Sequence, residues 1–414
     1  MFKKKTPTPA SQPYRPMTAE AAAFPPIGST LPQPGYYQSR TYQQPPARPA
    51  LAPQKKSWKS RIKRIFIVLL VLGFLAGAFV GVKLAINASK AFDGNLFGLL
   101  QNDKLKGEDQ GRVNILLAGN SADDPGHAGA DLTDSLLLLS IDTDNKRAFM
   151  MSIPRDLYVD IPDNGYAKIN EVYADGKESG FSEAGYPDGG MGLLEKVVGQ
   201  NFGIDIHYYA LINYTAFREA VNAVGGIDVN IQSDDPRGLY DAMIAKADGG
   251  PLRLKNGPQT LDGQTALNLA RARGSGINYG FAQSDYTRSE HQRMMLVALK
   301  EKAASAGVVS NPVKLSSLLD SFGNNVTTDF QTSEVRRLYD LSKEIPSASI
   351  TSVGLNDVEG KSLLASYRTR SGQSALVPKA GVDDYSEIQA YLTKLMTPPA
   401  PPAGSAENDS TQSQ

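Results

Sequence analysis

Arg155, Arg271, Arg273 and Arg288 stand where their surroundings are otherwise apolar or turn-forming. Arg155 lies in SIPRD, just after an apolar strand pattern that Pro154 brings to an end, and Asp156 follows it. Arg271 and Arg273 close a helical pattern, and the Gly274-Ser275-Gly276 behind them ends that helix, which lets both side chains serve one site. Arg288 opens another helix in DYTRSEHQ, with Gln292 one turn further on. Near these stand Asp134 and the Asp-rich loop NSADDPGHAGADLT. Guanidinium forks match phosphate oxygens, and carboxylates hold hard divalent cations, so this set suits a diphosphate with a divalent cation. For any one arginine alone a surface ion pair is the commoner arrangement; the weight comes from several at element ends.

Other chemistries lack their residues. The chain has no Cys, which excludes disulfides, thiolate metal sites and a Cys nucleophile. His127, His207 and His291 show no metal-ligand spacing, and His207 in the strand pattern IDIHYY is expected to pack as a structural residue. No G-x-S-x-G, Walker A or post-strand G-x-G-x-x-G occurs. Lys+Arg and Asp+Glu both total 43, so no bulk charge points to nucleic acid.

The elements that must position these groups begin at Val113. VNILLAG, DSLLLLSIDT and RAFMMSIP have buried-strand patterns, the last two joined by a DTDNK turn. A helix closed by Gly203, the strand IDIHYYALIN, the helix YTAFREAVNAVGG and the strand IDVNI follow. DGQTALNLARAR and SEHQRMMLVALKEKAAS are helical, as are PVKLSSLLDSF and TSEVRRLYDLSKEI; SASITSVGL is a strand and YSEIQAYLTKLM a last helix. The alternation, without internal repeats, predicts a single α/β domain over 113–396 with a mixed central sheet flanked by helices.

The N-terminal part differs. Residues 1–64 are Pro-, Gln- and Tyr-rich, too poor in aliphatic residues to offset ordering entropy, and end in the basic cluster KKSWKSRIKR. The uncharged run Ile65 to Val82 is long enough to cross ~30 Å of hydrocarbon at ~1.5 Å per residue. A transmembrane helix is therefore expected over 65–86. Lysines and arginines on its N-terminal side place that terminus in the cytoplasm and the domain outside, with 87–112 as a stalk. A cleaved signal peptide fits less well, since the preceding segment is long and no A-x-A exit follows. Residues 397–414 form a second Pro- and polar-rich tail expected to be disordered.

Taken in order, these motifs resemble the LytR–CpsA–Psr family of cell-wall ligases. The resemblance runs from about Val113 to about Ala303. It rests on NILLAG, LTDS (132–135), SIPRD (152–156), KIN (168–170) and GID with its aromatic strand (203–209), then F-x-x-x-V-x-x-x-GGI-x-V (217–229), LDGQTAL (261–267), ARAR (270–273) and D-x-x-R-x-x-x-Q (285–292).

The resemblance implies a phosphotransferase that moves a glycopolymer from a polyprenyl-diphosphate carrier to peptidoglycan at the outer membrane face, with Mg²⁺ (or Mn²⁺). It also implies that Arg155, Arg271, Arg273 and Arg288 hold diphosphate oxygens, that Lys168 lines the phosphate site and that Gln292 assists Arg288. Asp134 would ligate or orient the metal, and Asp134, Arg155 and Arg273 would act at the reacting group. Asp134 or Asp156 could serve as general base. Two positions depart from the family pattern: Ser121 stands where Asp is usual, and Leu132 where Arg is usual. Asp123, Asp124 and Asp131 in the same loop offer a replacement carboxylate for the metal. A lipid-diphosphate-binding regulatory protein and a polyprenyl-diphosphate pyrophosphatase are the alternative functions. For the topology, a tag placed after Gln414 should be accessible outside intact cells and one before Met1 should not; the opposite labelling would reverse the orientation.

Overall fold

The computed structural model describes residues 102–123, 129–245, 248–274, 277–282, 285–306, 323 and 325–398. The expected tail, transmembrane segment and most of the stalk lie outside these residues, as do PVKLSSLLDSF and the C-terminal tail. No helix among the described residues is long and apolar enough to cross a membrane.

A mixed sheet of six strands forms the centre. It uses β1 (Arg112–Gly119), β2 (Ser135–Asp142), β3 (Arg147–Ile153), β6 (Tyr208–Ile212), β11 (Val326–Thr328) and β12 (Ile350–Gly354), ordered β11-β6-β1-β2-β3-β12. β1 and β6 are parallel, as are β3 and β12, while the other pairs are antiparallel. The period-2 alternation of side chains splits the strands between two cores. Leu116, Leu138 and Met151 face a layer built from α2 (Gly190–Phe202) and α7 (Ser386–Met396), whereas Val113, Ile115 and Ile141 face α6 (Thr332–Glu344).

Smaller units attach to this sheet. The hairpin β4 (Tyr158–Ile161) and β5 (Gly165–Lys168) follows SIPRD and leads to α1 (Val172–Ser179). A third core lies among α3 (Tyr214–Ala223), β7 (Ile227–Ile231), β8 (Leu239–Asp241), β9 (Leu252–Leu254), β10 (Gly257–Leu261), α4 (Gly263–Arg271) and α5 (Asp285–Ala306). Local sequence starts two of these helices. Asn213 accepts from Ala216 N at 2.9 Å and Asp262 from Thr265 N at 2.8 Å, each satisfying an orphan donor of the first turn. The hairpin β13 (Leu364–Arg368) and β14 (Ser374–Pro378) lies beside SIPRD, where Leu376 N donates to Asp156 O at 2.9 Å.

The structure corrects several expected boundaries. The aromatic strand starts at Tyr208 rather than Ile204, because His207 turns aside: its Nδ1 accepts from Asn114 N at 2.9 Å. His207 is thus the structural residue expected. Helix α4 ends at Arg271, where Ala272 becomes extended and Gly274 takes φ 60°. A Cβ at Gly274 would also meet the Phe281 ring at 2.4 Å, so no other residue fits that turn. Packing begins before residue 113. Leu105 is buried in the core and Lys106 N donates to the Tyr208 hydroxyl at 2.6 Å, while that hydroxyl donates to Glu334 at 2.7 Å.

Glu195 on α2 is buried, and its Oε1 makes no hydrogen bond. Burial, reinforced by the Asp329 charge and opposed by Lys106, pushes its carboxyl up to about 8. Below the ordinary value of 4.5 both folded and unfolded chains carry the proton. As pH rises from there to about 8 the unfolded chain loses it first, so stability falls through that window. Glu195→Gln should remove this slope and raise stability at pH 8 on the order of 2–4 kcal/mol, read from melts at pH 5 and 8.

Candidate functional site

A cavity of about 480 Å³ opens at the ends of β2 and β3, between the sheet, α5 and the β13–β14 hairpin. Three of the short motifs meet here through backbone as well as side chains. Thr133 N donates to Asn170 O at 3.0 Å, and Asn170 N to Arg155 O at 3.3 Å. Asp134 Oδ1 then accepts from Arg155 Nη1 at 2.8 Å and from Asn170 Nδ2 at 3.2 Å. LTDS, SIPRD and KIN are thereby one cross-linked unit.

The cations are held by carboxylates. Arg155 also lies 3.7 Å from Asp156 through Nε, and Lys168 donates to Asp156 at 2.7 Å. Arg273 pairs with Asp285 at 3.0 Å, and Arg288 with the same carboxylate at 3.3 Å. Arg288 additionally donates to Asp134 O at 3.3 Å. Burial, with Arg273 nearby, pushes the Arg288 guanidinium down to about 10, against the pull of Asp285. For Asp134, burial favours the neutral form, but the Arg155 charge and hydrogen bond, Asn170 and Arg273 outweigh it. Its carboxyl is held below the usual range and is ionised at neutral pH.

The candidate residues do not all converge. Asp134, Arg155, Lys168, Arg288 and Gln292 line the cavity, and Arg273 stands beside it through Asp285. Gln292 uses both ends of its amide structurally: Ser135 Oγ donates to its Oε1 at 2.8 Å, and its Nε2 donates to Ala270 O at 2.9 Å. It ties β2 to α4 and so sets where Arg271 and Arg273 emerge. Arg271 points elsewhere, pairing with Asp248 at 3.2 Å and lying 4.7 Å over the Tyr214 ring.

The expected metal carboxylates are similarly separated. Asp123 caps α3, accepting from Tyr214 N at 3.1 Å and Thr215 N at 2.7 Å, so a helix terminus takes both its oxygens. Asp131 pairs with Lys177 at 2.9 Å on α1. Asp124 lies outside the described residues. The structure therefore does not bring Asp123 or Asp131 to Asp134, and among the described residues no cluster of three metal-ligating side chains occurs. Ser121 is buried and Leu132 half-buried, and neither lines the cavity.

Sequence reasoning missed Asp285 as a shared anchor for two arginines, although it opens the D-x-x-R motif. It also missed Asp241, whose Oδ2 accepts from Arg273 N at 3.1 Å and Gly274 N at 3.4 Å and so shapes the turn that presents Arg273. Nothing local in the sequence marks Asp241, which acts across 32 residues.

Clustered arginines and carboxylates at the strand ends of a mixed α/β domain form a site suited to an anion. A sequence profile of the LytR_cpsA_psr family matches residues 83–379, and the chain belongs to that family. The chain is 34% identical over 226 residues to the polyisoprenyl-teichoic acid–peptidoglycan teichoic acid transferase TagU of Oceanobacillus iheyensis, which covers 55% of this chain and 61% of that one. It is 29% identical over 289 residues to the TagT transferase of Bacillus subtilis, covering 69% and 81% respectively. The chain thus spans less than two thirds of the TagU relative's length and more of TagT's. A solved structure described as TagT bound to LI-WTA superposes with a TM-score of 0.51 at 25% identity, over 69% of this chain and 91% of that one.

Arg155→Ala should leave Asp134 with weaker compensation and destabilise the domain by about 1–3 kcal/mol at pH 7. A depressed carboxyl contributes its stability above the unfolded value of 3.8 and loses it as pH falls through the folded value. The gap between wild type and variant, read from denaturant melts, should therefore close at strongly acidic pH.

Proposed function

We propose that this chain is a phosphotransferase that moves a glycopolymer from a polyprenyl-diphosphate carrier onto peptidoglycan. The observation that carries the reading is the group of Arg155, Lys168, Arg273 and Arg288 gathered at one cavity with Asp134, Asp156 and Asp285. The names of the TagU and TagT relatives support the same chemistry. Phosphoryl transfer needs little covalent help from a protein and mostly needs positioning and charge neutralisation, which such a cluster supplies.

In this reading the cations hold the diphosphate oxygens. A peptidoglycan hydroxyl attacks the phosphorus next to the glycan, and the bond to the bridging oxygen breaks. The glycan phosphate leaves the carrier as a phosphodiester, and the lipid departs as a monophosphate. Asp156, or Asp134 where its Oδ2 holds no cation, takes the hydroxyl proton. Both hydrogen bonds that the Asp134 carboxylate accepts go to Oδ1, so its Oδ2 would serve as a single protein ligand to Mg²⁺ or Mn²⁺. Such a cation would add charge neutralisation on the diphosphate. Arg271 belongs to the outer rim in this reading rather than to the clamp.

The basic cluster and the uncharged run at 65–82 support a single-pass anchor, with the N-terminus cytoplasmic and this domain at the outer face. A tethered domain would meet a tethered donor at raised effective concentration. Full-length protein incubated with radiolabelled lipid-linked glycan, peptidoglycan fragments and Mg²⁺ should give label in peptidoglycan. Release of free glycan phosphate would instead mark a pyrophosphatase, and retention of intact donor a binding protein. Arg273→Ala should weaken donor binding by about 1–3 kcal/mol with the fold intact. Asp134→Asn should lower transfer and its dependence on Mg²⁺ together.

A further inference from the structure

The arginines at this cavity differ in depth and in company. Side-chain exposure falls from 37% at Arg273 and 24% at Arg155 to 7% at Arg288, and as whole residues Arg288 and Arg293 are equally buried, at 6% each. Arg155 lies beyond the end of β3, whereas Arg293 reaches Ser152, a residue within that strand, donating from Nη1 to its Oγ at 2.5 Å. Arg155, Arg273 and Arg288 each have a carboxylate partner. Arg293 has none among the described residues, and its Nε is buried without a hydrogen bond. Glu290, three residues earlier on α5, acts on it only through space.

A desolvated cation without a counterion is costly, and proteins otherwise pair such groups or replace them. Arg293 nevertheless lines the cavity, alongside Leu136, Ile153, Leu355 and Leu376 at the apolar part of its wall. A guanidinium so placed is short of an anion, and the opening beside it is where one can enter. The outer cations already share three carboxylates, so the inner one is the strongest unmet demand for negative charge in the site.

Resting on the reading above, we propose that Arg293 binds the phosphate attached directly to the lipid, the one that stays on the carrier when the glycan phosphate leaves. The outer arginines then hold the phosphate that is transferred, and the apolar wall takes the first part of the lipid chain. Arg293 would stabilise the departing monophosphate, so it acts on leaving group and product as well as on donor.

The test measures affinity of the full-length protein, in detergent, for geranylgeranyl diphosphate, geranylgeranyl monophosphate and inorganic pyrophosphate. Arg293→Gln should weaken both lipid phosphates about tenfold, the loss expected for one charged hydrogen bond, and Arg293→Lys should restore most of it. Inorganic pyrophosphate should bind the wild type far more weakly than the lipid diphosphate. Without ligand, Arg293→Gln should melt no lower than wild type, because it removes an uncompensated buried charge. Weaker diphosphate binding with unchanged monophosphate binding would place Arg293 on the wrong phosphate and overturn the proposal. So would unchanged affinity for both lipids, in which case the wild-type binding would leave the phosphotransferase reading standing. Equal affinity for lipid-free pyrophosphate would overturn the lipid-proximal assignment, and a wild type that binds none of the three would remove both readings.

Discussion

One carboxylate oxygen holds this site together. Asp134 Oδ1 accepts from Arg155, in the turn after β3, and from Asn170, in a short 3-10 helix (Ile169–Glu171), while the backbone of Asn170 bonds to both Thr133 and Arg155. No element of regular structure spans these three segments. Their mutual position depends on a buried polar network, and such a network is strongly directional because each member left unpaired would be costly. The sheet brings the loops to one edge; Asp134 fixes how they meet there.

The same network explains how many positive charges can share a small volume. Asp134, Asp156 and Asp285 divide the guanidiniums and the Lys168 ammonium among them. A diphosphate entering such a site need not create a binding geometry. It joins cations already oriented by carboxylates, so less ordering entropy is lost on binding. The carboxylates that orient the cations also repel the incoming anion. In the proposed reaction a divalent cation would relieve that conflict.

The central strands were legible because burial imposes a plain pattern. VNILLAG, DSLLLLSIDT and RAFMMSIP became β1, β2 and β3, and the order of elements predicted the mixed sheet. Arg155 and Arg288 stood out as charges at element ends and Lys168 through the family resemblance, and all three line one cavity. The hairpins β4–β5 and β13–β14 were not legible, because one strand of each, β5 and β13, is largely exposed and lacks a continuous apolar run. Asp123 shows why a loop cannot be assigned by composition. Its carboxylate looked like a metal ligand, but its partners are helix N–H groups 91 and 92 residues away. Arg293 escaped notice because it stands inside a helix, where an arginine is unremarkable until its missing counterion becomes visible.

The clasp around Tyr208 has a mechanical meaning. Its hydroxyl takes the backbone N–H of Lys106 and gives its proton to Glu334, its ring stacks on Phe330 with centroids 4.0 Å apart, and Arg337 grips Glu108 close by. The chain is therefore riveted to the body of the domain from about residue 105 onward, on the strand next to β1 rather than at the cavity. A pull arriving at residue 105 is therefore delivered to β6 and α6, away from the cavity. The place of that rivet fixes where the domain is held: on its sheet, and not at the rim of its cavity.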